Sequence, residues 1–169
     1  LPGRMSRAGV DPAAGGRRAT RIERLLDARA GEEVDVPLDL IVSDDWTTPS
    51  LLAPLERLGT ERPAAPVVIV HDHTQAPESY TGEDRARVER LVAVRDAFAH
   101  RYGAEVIEGR GIQHHVLAEL GRLRPGMRVL SNDSHAPTLG AHGVAAFAGQ
   151  PTTVAAALHT GRLVTRVPE

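Results

Sequence analysis

The feature that most constrains this chain is Val67-Val68-Ile69-Val70, apolar at every position and followed at once by His71-Asp72-His73. A strand with one face in water alternates apolar and polar side chains. A run without alternation marks a strand covered on both faces. Similar short runs recur at Leu40-Ile41-Val42, Val106-Ile107 and Val129-Leu130, with helical patterns between them. Strands of this kind alternating with helices predict an α/β fold, a layered α/β/α domain on a largely parallel sheet.

The helical segments carry their own signals. Thr20 caps a first helix whose Ile22, Leu25 and Leu26 form an apolar stripe, with Gly31 as its end. One strand is expected from Val34 to about Ser43, its first part demoted to an edge by Pro37. Pro49 opens a second helix, which Pro54 interrupts and Gly59 closes. Residues 81–102 make the longest helix, with Val88, Leu91, Val92, Arg95 and Phe98 near helical spacing. Residues 112–120 form another helix, with Gly121 just past it. The small-residue stretches "LGAHGVAAFAG" and "PTTVAAALHTG" are both predicted as helical, and "RLVTRVP" as a last strand. Residues 1–19, rich in Gly, Pro, Ala and Arg, read as a disordered leader, which leaves 20–169 as a single domain.

Composition removes several classes of function. Aromatic residues make up 3% of the 169, and the formal net charge is −2. Neither a base-stacking surface nor a basic footprint for nucleic acid is present. No apolar run is long enough to span a membrane. The absence of cysteine fits a cytoplasmic protein and removes thiolate-held zinc or iron–sulfur sites from this chain.

Ligands of such domains sit at the carboxyl ends of the strands, and four runs here end in polar clusters. They are Ser43-Asp44-Asp45, His71-Asp72-His73, Glu108 to His115, and Asn132-Asp133-Ser134-His135. Each has a plain structural reading. Asp44-Asp45 makes a turn or helix cap. His71 and His73 share one side of an extended segment, with Asp72 on the other. Asp133-Ser134 caps the following helix, His115 faces solvent, and His100 and His159 sit favourably at helix ends. Taken together, the clusters have a chemical reading. An Asp beside a His orients the imidazole and stabilises its charged form, which makes an acid or base near neutral pH. Asp72–His73 and Asp133–His135 are two such pairs, and His114 is a fifth candidate catalytic residue. Ser134 and the loop amides suit a substrate carboxylate, with Asp44, Arg110 and Thr138 as further candidate binding residues. Alternatively, His73, His114 and His135 could ligate a divalent metal.

The stretches "VVIVHDHTQAP", "EGRGIQHHVL", "LRPGMRVLSNDSHAPTLGAHG" and "TGRLVTRVPE" resemble, in that order, the aconitase superfamily. Within it they resemble the first domain of the 3-isopropylmalate dehydratase large subunits. "RIERLLDARAGEEVDVPLDLIVSDDWTTP" resembles that family's opening segment, so the likeness covers roughly residues 20 to 169. It implies hydro-lyase chemistry on hydroxy di- and tricarboxylic acids, with an iron–sulfur cluster whose open iron binds substrate. It implies that Asp72-His73, His114 and Asp133-Ser134-His135 line the site. The family's cluster cysteines, its serine base and its carboxylate-binding arginines come from later parts of a longer subunit. Asp44 stands where the family usually has His or Gln, and Ala136 replaces the usual Thr.

The expectation is therefore an aconitase-like lyase acting on a small carboxylate substrate without a cluster of its own. The alternatives are one subunit of a split dehydratase whose partner carries the cluster, and a non-catalytic binding domain. Surface that the family covers with further domains predicts self-association into a homo-oligomer.

Overall fold

A computed structural model describes residues 18–74 and 77–168. Most of the expected leader, residues 1–17, lies outside the described residues. The domain is built on a five-stranded, wholly parallel sheet. Its strands are β2 (Leu40–Asp44), β3 (Val67–Val70), β4 (Glu105–Ile107), β5 (Arg128–Ser131) and β6 (Ala145–Ala148), in the order β4-β3-β2-β5-β6.

The unbroken apolar runs are explained by what covers them. Ile41, Val67, Ile69 and Leu130 pack with Leu51, Leu55, Phe98 and Leu158. These come from α2 (Pro49–Arg57), α3 (Gly82–Tyr102) and α5 (Pro151–Thr160). The alternate residues Leu40, Val42, Val68, Val70 and Val129 pack the other way, against Val116, Leu117 and Leu139. Those lie on α4 (Gln113–Glu119) and a 3₁₀ helix over Ala136–His142. β2, β3 and β5 thus each feed two cores, and each fully buried Val or Leu contributes about 1.5–3 kcal/mol. The α/β/α layering is as the sequence predicts.

Several boundaries differ from the sequence reading. The expected single strand over 34–43 is two. β1 (Glu33–Pro37) leaves the main sheet and pairs antiparallel with β7 (Arg162–Arg166), so "RLVTRVP" forms a separate ribbon. The break falls at Leu38-Asp39, where Asp39 grips the Arg128 guanidinium and backbone N–H at 2.8 Å. α1 (Arg21–Leu26) ends well before Gly31. Its cap is the expected Thr20, in a reciprocal box with Glu23. Glu23 is buried and also accepts from Ala30 N–H at 2.9 Å, which turns the chain back at Asp27 (φ 50°). Pro54 sits inside a continuous α2 and does not interrupt it. "LGAHGVAAFAG" is not one helix but the 3₁₀ turn followed by edge strand β6. Alanine favours helix locally, but in β6 the ladder to β5 overrides that preference.

The strand order fixes where a ligand can sit. The chain steps outward from β2 through β3 to β4, then returns to place β5 on the other side of β2. Such a switch point opens a crevice beyond the carboxyl ends of the two strands that flank it.

Candidate functional site

A cleft of about 790 Å³ lies at that switch point. Asp44 and Thr47 follow β2, Asp72 and His73 follow β3, Ile112 and His114 follow β4, and Asn132 to His135 follow β5. The structure thus brings Asp44, Asp72, His73, His114, Asp133, Ser134 and His135 into one wall. Arg110 and Thr138 do not line it. Arg110 is exposed, and the exposed Thr138 hydroxyl donates to the His135 carbonyl at 2.8 Å. His115 is exposed, as expected, and His159 bonds Thr60 at 3.0 Å, away from the cleft.

The β3 loop is held from beneath. Asp45 is fully buried, and its Oδ1 accepts the backbone N–H groups of Asp72 (2.9 Å) and His73 (3.0 Å). Its Oδ2 accepts the Thr74 N–H (3.0 Å) and the Thr74 hydroxyl. Burial alone would raise the pKa of Asp45, but these donors outweigh it and hold the carboxyl below its ordinary value. His71 turns away from His73, contrary to the shared side expected from alternation. It is buried between the Thr74 carbonyl, 2.9 Å from Nε2, and Arg95 of α3, which donates to Nδ1. β3 ends at Val70, so strand alternation no longer governs the next three residues.

Asp72 and His73 form the expected pair. Asp72 Oδ1 bonds His73 Nδ1 directly, and Asp72 Oδ2 accepts from the Gln113 backbone N–H at 3.0 Å. Asp44 Oδ1 accepts from the Trp46 (2.9 Å) and Thr47 (2.6 Å) N–H groups and lies 3.7 Å from His73 Nδ1. Burial raises the pKa of both Asp44 and Asp72, and neighbouring carboxylates add to it. Burial works against a charged His73, yet Asp72 and Asp44 outweigh it and hold its pKa above the ordinary histidine value.

The second pair is Asp133 and His135. Asp133 Oδ1 accepts from both the backbone N–H and Nδ1 of His135 at 3.0 Å. Its Oδ2 accepts from the Gln113 side-chain amide at 2.6 Å. Burial opposes its charge, but these donors prevail and its pKa is lowered. Gln113 thus ties the two acidic pairs together through its backbone and its side chain. His114 stacks on His135 with ring centroids 5.8 Å apart, and its buried Nδ1 has no hydrogen-bond partner. Burial, then the neighbouring His115, lowers its pKa, which favours the neutral ring.

The sequence reading missed three contributors. Asp45 was read as a turn residue, but it organises the His73 loop. Gln113 links the two pairs. Asn132 lines the cleft with both side-chain amide atoms buried and unpartnered. A polar residue directly after a buried strand is the only sequence signal that pointed to Asn132.

The histidines proposed as metal ligands do not gather as a trio. Among the described residues, the donors close enough to share an ion are those of Asp44, Asp45, Asp72 and His73, all within 4.8 Å of one another. An iron–sulfur cluster does not fit this donor set. It is held by thiolates, and the 169 residues contain no cysteine.

A cleft of paired acids and imidazoles at the switch point of a parallel sheet defines a class, and comparison with known proteins agrees with it. The chain belongs to the aconitase family: the family model (aconitate hydratase) matches residues 23–169. Among its relatives is the 3-isopropylmalate dehydratase large subunit of Pyrococcus horikoshii, 35% identical over 150 residues, or 89% of this chain and 38% of that protein. The same subunit of Herpetosiphon aurantiacus is 40% identical over 150 residues, covering 85% of this chain and 34% of that protein. Large subunit 1 of Methanopyrus kandleri is 34% identical over 145 residues, covering 85% and 34%. The chain therefore spans little more than a third of the length of these relatives.

Proposed function

We propose that this domain forms the proton-handling wall of an aconitase-type lyase, which removes or adds water on a small carboxylate-bearing hydroxy acid. One observation carries the reading. A single cleft holds two imidazoles whose surroundings drive them apart, His73 toward the charged form and His114 toward the neutral one. Opposed environments of this kind support an acid role for His73 and a base role for His114.

In the dehydrating direction the substrate loses a hydroxyl from one carbon and a proton from its neighbour. His73, charged and oriented by Asp72, gives its proton to the departing hydroxyl, which leaves as water. Neutral His114 takes the carbon-bound proton, and the electron pair of that C–H bond becomes the new C=C bond. Asp133 fixes His135 beside His114, and that pair can accept the proton onward. Ser134, the Asn132 amide and the loop N–H groups suit the substrate carboxylate. In this reading the chain acts without a cluster of its own.

The relatives' description as large subunits, and the share of them covered, favour a second reading. In it another aconitase-like subunit, another segment or a second copy closes the cleft and brings the cluster. Turnover of a panel of hydroxy acids, followed by ultraviolet absorbance of the unsaturated product, tests both. His73→Gln and His114→Gln are each expected to lower kcat by about 10²–10⁴-fold. Full rate in both variants would falsify the assignment. Turnover that appears only with a co-expressed, iron-loaded partner would select the second reading.

A further inference from the structure

We propose that Asp44, Asp72 and His73 form a binding site for a single divalent cation at the base of the cleft. Three observations lead there. First, these groups offer oxygen and nitrogen donors within 4.8 Å of one another. Ligand bonds of roughly 2.0–2.2 Å, as to zinc, leave opposite donors about 4 Å apart, so little movement is needed. Second, Asp44 is completely buried, lines the cleft, and its Oδ2 has no hydrogen-bond partner. Its other oxygen already serves Trp46 and Thr47, so Oδ2 is the atom left over for a ligand. A buried carboxylate oxygen without a donor is costly, and a cation removes that cost. Third, Asp44, Asp72 and Asp133 line the cleft, and no Lys or Arg is among its described lining residues. A carboxylate substrate needs a positive charge there. This last argument rests on the proposed function, whereas the first two do not.

Asp45 completes the acidic group in space but not as a ligand. Both of its oxygens are held by donors from residues 72–74, three of them backbone N–H groups that cannot give way. The cation, by contrast, gains Asp72 Oδ1 and His73 Nδ1 by replacing the one proton they share, with Asp72 Oδ2 left on the Gln113 N–H. Asp45 acts as the buttress that holds Asp72 and His73 in place, as outer-shell partners do at metal sites. The oxygen-rich set with one imidazole suits a cation such as Mn²⁺ or Zn²⁺, and not a thiophilic ion. Bound there, the cation takes the electrophilic role otherwise given to the His73 proton.

The test uses Mn²⁺ alone on the full chain, with free Mn²⁺ read by electron paramagnetic resonance. One saturable site per chain is expected. Asp44→Asn keeps an oxygen for the Trp46 and Thr47 N–H groups and removes the charge, and it is expected to weaken binding by about tenfold or more. His73→Gln, at a half-exposed position that folding tolerates, is expected to do the same, whereas His114→Gln keeps the parent affinity. No saturable binding below millimolar Mn²⁺ overturns the site, as does unchanged affinity in both Asp44→Asn and His73→Gln. Neither result bears on the acid–base reading, which is judged by turnover of the parent chain freed of metal by a chelator and of His114→Gln, a variant outside the cation site.

Discussion

At the scale of single residues, the site depends on one buried carboxylate more than on any group that faces the cleft. Asp45 satisfies four donors of the β3 loop. Asp45→Ala leaves those donors buried and unpaired, at about 1–3 kcal/mol each for the ones that water cannot reach. A fall in Tm of several degrees is expected, together with a larger loss of turnover than the conservative Asp45→Asn causes. Calorimetry and kinetics on both variants check this. A second residue-scale prediction concerns acid. Arg128 hydrogen bonds hold Asp39 below its ordinary pKa. A carboxyl depressed in the folded state stabilises the fold above its unfolded pKa of about 3.9 and loses that contribution as pH falls through the folded value. The pair is about one-third exposed, so the contribution is about 1 kcal/mol or less. Asp39→Asn is expected to flatten the fall of stability below about pH 4 in urea titrations; an unchanged slope would contradict the assignment. The sequence made the cleft-facing residues visible because acids and imidazoles followed apolar runs. It could not show Asp45's role, since a carboxylate bound to backbone N–H groups 27 to 29 positions away leaves no local pattern.

Among the elements, legibility followed burial. β3 was readable because both faces are covered and all four of its residues are apolar, and β5 because Val129 and Leu130 form an adjacent apolar pair. β6 was not, because Ala145 to Ala148 carry a helical preference and only the ladder to β5 makes them a strand. The split between β1 and β2 was equally hidden, since pairing partners 128 and 162–166 lie far along the chain. Two substitutions probe how the elements join. Gly161 closes α5 at φ 73°, and a Cβ there would meet the Ala64 carbonyl oxygen at 3.0 Å. Gly161→Ala is expected to cost about 1–2 kcal/mol from the left-handed backbone alone, with more from the contact. Leu130 of β5 is fully buried in the core that α2, α3 and α5 cover, one residue before the strand end. Leu130→Ala is expected to cost about 2–5 kcal/mol. Denaturant midpoints measure both, and neutral values would show that these joints are looser than the packing indicates.

For the whole molecule, the switch point explains why a domain with so few aromatic residues still concentrates its chemistry. Four loops from four parallel strands meet over one crevice, each contributing side chains to a different part of the wall. None of the described helices is long and apolar enough to cross a membrane. The β1–β7 ribbon stands apart from this crevice and clasps early and late segments together, with Glu33 opposite Arg166 and Pro37 opposite Arg162. That register has a mechanical consequence. The entry to β1 and the exit from β7 lie at the same end of the ribbon, so tension between them loads the rungs one after another, like a zip, and never all at once. A pull along the chain is expected to open the ribbon at low force while the parallel sheet holds, and optical tweezers would record two separate rips.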